Sequence, residues 1–279
     1  MTPEVQAVVL GVVEGLTEFL PISSTGHLIV AERLIGYQDT AKVFTIVVQL
    51  GAILAVVWFY WKSLLEQVTQ LFRGRPAARR FWLNLVIASI PAAVIGLLFE
   101  QAIKAALFSP LTVAGSLILG GLVLWWVDDR RPGQNTGAGA GTPGAPDLGR
   151  VTLRQAAIIG GAQALAVIPG VSRSGASIVG GLLSGLDRVT ATAFSFFMGI
   201  PVLGGAGLYS LYKARNALGT VSGGGTALAL GTAVAFVTAL LSISWLLRYV
   251  STHSFRAFAI YRVVFGGIIL ALLAFGVMR

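Results

Sequence analysis

Glu14 and Glu18 stand four residues apart, a spacing that turns both carboxylates toward nearly the same side of an α-helix. Paired carboxylates repel unless a cation or a shared proton lies between them, and a hard divalent ion such as Mg²⁺ or Ca²⁺ suits their oxygens. Glu14 and Glu18 are therefore the expected metal ligands. Just downstream lie Ser23, Ser24, Thr25 and His27, the last being one of only two histidines in the chain. The hydroxyls fit helix capping, and Ser24 also fits a nucleophile or a phosphate ligand. His27 could serve as general acid or base, or attack phosphorus itself. A second polar cluster, Ser172, Arg173, Ser174 and Ser177, follows Pro169-Gly170. A guanidinium matches phosphate oxygens in a bidentate fork, with the serines adding hydroxyl and backbone donors. The ligand chemistry common to both clusters is a phosphate group.

These groups sit in an unusual medium. The 279 residues are 56% hydrophobic and only 11% charged, which places the chain in lipid rather than water. Apolar stretches of spanning length, about 17 to 25 residues, fall near 41–61, 82–99, 111–127, 190–211, 226–247 and 257–277. The expected fold is an all-α polytopic membrane protein with about six transmembrane helices. The N-terminal stretch has no basic region and is interrupted by Glu14 and Glu18, so no cleavable signal peptide is expected. With no cysteine, disulfides, thiolate metal sites and cysteine nucleophiles are excluded.

The segments 5–36 and 155–186 are interrupted by Pro21 and Pro169, and neither arm of either is long enough to span. Such segments are expected to enter the membrane and return, as re-entrant broken helices whose free backbone groups face a cavity rather than lipid. Their half-helix tips would aim N–H groups and positive dipole ends at an anion. Arg262, in the last apolar stretch, is expected either to pair with a carboxylate or to line the same cavity.

The two segments are related by a constant offset of 149. Gly11 aligns with Gly160, Glu14 with Gln163, Leu16 with Leu165, Ser23 with Ser172, Thr25 with Ser174, Gly26 with Gly175, Ile29 with Ile178, Val30 with Val179 and Gly36 with Gly185. Three spans follow each copy, and an odd number inverts the second. The expected organisation is an inverted repeat: residues 1–131, a Gly/Pro-rich loop at 132–149, and residues 150–279. If both termini are outside, the inner face holds twelve Lys and Arg residues and the outer face six (Arg33, Lys42, Lys104, Lys213, Arg215 and Arg279). That asymmetry follows the positive-inside rule, and it accounts for the net charge of +9 without nucleic acid.

The run from Glu14 to His27, the run Pro169-Gly170-Val171-Ser172-Arg173-Ser174-Gly175-Ala176-Ser177, and Ala257 to Arg262 together resemble the undecaprenyl-diphosphate phosphatase family, also called the bacitracin-resistance family. The resemblance spans essentially the whole chain; one departure is Ser177, where the family usually has Thr. It implies hydrolysis of a polyprenyl diphosphate lipid to the monophosphate carrier and inorganic phosphate, in the bacterial plasma membrane, at a site facing the periplasm or outside. It also implies a divalent cation, with Glu14 and Glu18 as the acidic motif, Ser24 and His27 acting on phosphorus, and Arg173 clamping phosphate. Ser24, His27 and water stay open as the attacking group. The oligomeric state stays open too, a homodimer included. Thr25-Gly26-His27 and Ser172-Arg173 are also similar to fragments of acid-phosphatase-like lipid phosphatases, but that family's second histidine and upstream Lys/Arg-Pro motif are missing around Ser172 to Arg188. The rival from another class is a transporter or flippase, since inverted repeats with broken helices are a transporter architecture.

Overall fold

A computed structural model of the chain describes residues 1–39, 42–130 and 146–276. Every regular element among them is helical. The first polar segment forms α1 (Pro3–Thr17) and α2 (Ser24–Ile35), and the second forms α7 (Leu153–Ala164) and α8 (Arg173–Leu183). Helices of 11 to 15 residues reach about 17 to 23 Å at 1.5 Å per residue, short of a bilayer core. The members of each pair pack on one another, so the chain doubles back at each break.

Between them lie α3 (Val43–Phe59), α4 (Trp61–Phe72), α5 (Pro76–Leu107) and α6 (Pro110–Asp129); beyond α8 lie α9 (Arg188–Gly199), α10 (Gly205–Lys213), α11 (Gly224–Thr252) and α12 (Arg256–Ala274). Among the described residues five spans are long and apolar enough to cross a membrane, with α9 and α10 joined through a π-helical turn at Ile200–Gly204 into one of them. The sixth expected crossing is α3, which bends by 69° into α4. Leu98, Leu119, Leu241 and Ile268 project outward from α5, α6, α11 and α12. Large apolar groups turned away from the core mark a surface solvated by lipid: the chain is a multi-pass membrane protein. Most of the expected 132–149 linker lies outside the described residues, as do Arg131, Arg279 and the side chain of Lys104.

Two contacts set where the broken helices sit. α1 packs along α11 and α7 along α5. A Cβ on Gly11 would lie 2.5 Å from the carbonyl oxygen of Gly231, and one on Gly160 would lie 2.5 Å from that of Ala88. Only glycine admits helix backbones this close. Gly11 and Gly160 are also partners at the 149 offset.

α9 occupies the centre, every one of its side chains buried. Phe196 meets Phe19 of the first break edge to face at 5.3 Å, and Phe197 meets Phe81 of α5 at 5.4 Å. At the end of α6, buried Asp128 accepts from Arg188 Nε at 2.6 Å and from the Phe255 backbone N–H at 2.9 Å, tying α6, α9 and the start of α12 together. Asp128→Asn keeps the shape but removes the counter-charge of a buried guanidinium. It should destabilise the protein by about 2 kcal/mol, the worth of a hydrogen bond to a charged group, read as a lower midpoint in detergent thermal unfolding.

Candidate active site

Each break ends on a serine forced into an unusual backbone conformation. Ser23 has φ 72° and Ser172 has φ 73°, and each accepts with its side chain from the N–H three residues on, Gly26 and Gly175. Non-glycine residues at positive φ cost about 1–3 kcal/mol and persist where the surroundings hold them in place. Here they turn the chain so that Ser24 and Arg173 become the first residues of α2 and α8, at helix ends that attract anions.

A cavity of about 110 Å³ lies between the two breaks, lined by Glu18, Ser23, Ser24, Thr25, Ser172 and Arg173 together with Gln49 of α3 and Leu203 of the π-helical turn. Ser24 Oγ donates to Glu18 Oε2 at 2.5 Å. Glu18 Oε1 lies 3.5 Å from Arg173 Nε, both side chains being almost fully buried. Arg173 Nη1 donates to the Ser195 carbonyl of α9 at 2.8 Å, while Nε and Nη2 have no hydrogen-bond partner. A buried guanidinium with unused donors beside a hydroxyl and its base is arranged to receive a tetrahedral oxyanion. The Ser24–Glu18 bond has the hydroxyl-to-carboxylate geometry that a nucleophile and its base require.

Glu14 is 1% exposed, and neither of its carboxylate oxygens has a hydrogen-bond partner. Bare buried carboxylate oxygens are the donor set a hard divalent cation takes. In that respect the residues fit the expected ion. Gln163, the 149-offset counterpart of Glu14, is likewise buried with both amide atoms unpartnered.

Four residues expected at or near the site have other neighbours. His27 Nδ1 is 2.8 Å from the Ser23 carbonyl and donates to it, so in the neutral imidazole Nε2 accepts from the Tyr261 hydroxyl at 2.7 Å. Its ring stacks on Phe265 at 4.2 Å. The imidazole thus braces the strained Ser23 turn and points to α12 rather than to Ser24. Ser174 and Ser177, expected as substrate hydroxyls, lie outside the cavity lining. Ser174 Oγ donates to the Leu20 carbonyl at 2.9 Å, and Ser177 Oγ bonds the Arg173 carbonyl at 2.8 Å and Ser195 Oγ at 2.6 Å. Both are fully buried and used in holding the break. Arg262, expected to meet a carboxylate or the cavity, does neither among the described residues; there it donates only to backbone carbonyls.

Gln49 lines the cavity although no motif in the sequence points to it. It is one of two polar side chains in an otherwise apolar span, the other being Thr45, and that rarity was its signal.

Residues 7–268 match the family described as Bacitracin resistance protein BacA. The chain is 52% identical over 266 residues to Undecaprenyl-diphosphatase 1 of Paraburkholderia xenovorans, covering 95% of this chain and 93% of that protein. It is 48% identical over 268 residues to Undecaprenyl-diphosphatase of Albidiferax ferrireducens, covering 96% and 94%. Against Undecaprenyl-diphosphatase 1 of Burkholderia cenocepacia the identity is 49% over 262 residues, covering 94% and 92%.

Proposed function

The chain belongs to the bacitracin resistance protein family, and from that premise we infer that it is an integral membrane phosphatase hydrolysing undecaprenyl diphosphate to undecaprenyl phosphate and inorganic phosphate. The product is the lipid carrier that cell-wall synthesis reuses, and removing the diphosphate form confers bacitracin resistance. The observation that carries the mechanism is the 2.5 Å bond from Ser24 to Glu18 beside the unused donors of Arg173.

In our reading the terminal phosphate enters the cavity with its oxygens on Arg173 Nε and Nη2 and on the backbone N–H groups at the starts of α2 and α8. Ser24 Oγ attacks the terminal phosphorus and gives its proton to Glu18. The bond from that phosphorus to the bridging oxygen breaks, and the polyprenyl monophosphate departs, taking up the proton from Glu18. A phosphate monoester has a second pKa of about 6, so this leaving group needs little help from an acid, and His27 is free to serve as a brace. Water, deprotonated by Glu18, then attacks the phosphoserine. The proton returns to Ser24 Oγ as inorganic phosphate leaves. Positioning and charge stabilisation supply most of the acceleration.

Glu14 is our candidate ligand for a divalent cation, with Glu18 adjacent. When bound, such an ion would neutralise the diphosphate's charge. Glu14→Gln should weaken Mn²⁺ binding by at least tenfold in an electron paramagnetic resonance titration and lower Mg²⁺- or Ca²⁺-supported turnover in parallel. Equal Mn²⁺ affinity in parent and variant would remove Glu14 from the role.

We place the protein in the bacterial plasma membrane with the site open to the outer side, a reading supported by the charge asymmetry of the loops. The halves 1–131 and 150–279 we read as an inverted repeat, supported by the matched strained serines and the matched glycine contacts. Purified protein supplied with a polyprenyl diphosphate and Mg²⁺ should release inorganic phosphate. Absence of release, together with lipid flux in liposomes, would replace the enzyme reading with a transporter.

A further inference from the structure

Arg262 of α12 is 1% exposed, the largest side chain in the fully buried core. Its guanidinium meets five backbone carbonyls. Nη1 donates to Pro21 at 3.0 Å; Nη2 donates to Gly170 at 3.1 Å, Val171 at 3.0 Å and Ser116 at 3.2 Å; Nε donates to Leu117 at 3.3 Å. No carboxylate among the described residues pairs with it. Pro21 belongs to the break before Ser24, Gly170 and Val171 to the break before Arg173, and Ser116 and Leu117 to α6.

Broken helices leave carbonyls that the next helix cannot satisfy, and within a membrane those groups need donors from the protein. A planar guanidinium with five N–H groups can serve several of them at once, where an ammonium offers three on a point charge. Arg262 is therefore more than a core filler. It holds carbonyls three residues before Ser24 and two and three residues before Arg173. Besides this fork, Ser174 Oγ to the Leu20 carbonyl is a hydrogen bond running directly between the breaks.

We propose that Arg262 is a positioning residue for the phosphate site, fastening the two breaks to one another and to α6 so that Ser24 and Arg173 stand at a fixed separation. The proposal rests on the phosphatase reading for its effect on turnover, but its geometric content stands apart from it. Loss of the fork would let the starts of α2 and α8 drift relative to each other, and a misplacement of about 1 Å is enough to cost about a hundredfold in rate.

Gly120 of α6 provides a way to disturb the fork without removing it. A Cβ there would lie 2.1 Å from Arg262 Nη2 and 2.9 Å from Cζ, so Gly120→Ala must displace the guanidinium while leaving every donor in the chain. Arg262→Lys is the complementary variant, keeping the charge and losing the fork. The absence of native cysteine allows spin labels to be placed at Leu34→Cys on α2 and Leu183→Cys on α8, both exposed. Double electron–electron resonance should give one narrow distance in the labelled parent and a broadened or shifted one when either variant is added. In unlabelled protein, kcat for phosphate release should fall by about a hundredfold in both variants. Distances unchanged in both variants would overturn the proposal whatever happened to activity. Broadened distances with parental kcat would overturn it as well, and collapse of both variants would reduce Arg262 to a role in folding alone. A parent that orders the two labels but releases no phosphate would instead count against the phosphatase reading, with the distances still deciding the fork.

Discussion

Ser24→Ala should lower kcat for phosphate release by on the order of 10⁴-fold or more, the loss expected if Ser24 is the nucleophile and works as a unit with its base. Among the described residues Ser24 Oγ is the only hydroxyl bonded to Glu18, and it opens α2, where the helix dipole favours the developing negative charge. The fold should survive, because the capping of α2 depends on Ser23 Oγ and not on Ser24. Quenching the parent during turnover of labelled substrate should give a phosphoprotein whose label maps to Ser24, and the variant should carry none. Glu18→Gln, nearly isosteric, should lose about 10²–10⁴-fold, the range for a general base, with less phosphoenzyme formed. Retention of most activity by Ser24→Ala would pass the attack to water or His27. Label on His27 would do so specifically.

The second large effect is expected for Arg173→Lys, a fall in kcat/KM of about 10²–10³-fold, comparable with the loss of an oxyanion donor. The guanidinium is packed flat enough against α9 that a Cβ on Gly199 would come within 3.0 Å of Nη1, and the same atom is tethered to the Ser195 carbonyl. Nε, 3.5 Å from Glu18 Oε1, and Nη2 keep donors that no hydrogen bond within the described residues uses. Lysine keeps the positive charge near Glu18, so a buried carboxylate is not stranded and the fold should hold. It cannot reproduce two donors in one plane. Thermal unfolding within a few degrees of the parent together with the kinetic loss would assign the effect to phosphate recognition. A variant within about threefold of parental kcat/KM would exclude Arg173 from it.

Much of this site is legible along the chain. Carboxylates and a guanidinium inside apolar sequence are costly enough to mark themselves. Pro21 and Pro169, each followed by Ser, Thr or Gly, announce the breaks because proline removes a helix donor. The 149 offset pairs Ser23 with Ser172, and both adopt the same strained cap. Spans follow from length and hydropathy, although the bend of α3 into α4 does not, since Tyr60 is neither a proline nor a glycine.

Residue types and their local spacing fix the set of chemical groups, the broken helices that carry them and their common suitability for phosphate. These depend on residue type and on spacing within one or two helical turns. Tertiary structure alone decided the partners: Glu18 rather than His27 for Ser24, Tyr261 for His27, Ser195 for Arg173, and carbonyls rather than a carboxylate for Arg262. Periodicity says which face of a helix is turned inward but not which face meets it, and Arg262 reaches Pro21 across 241 residues of chain. Which hydroxyl lines the cavity and which closes a break, as for Ser24 against Ser174 and Ser177, is decided by those packed neighbours.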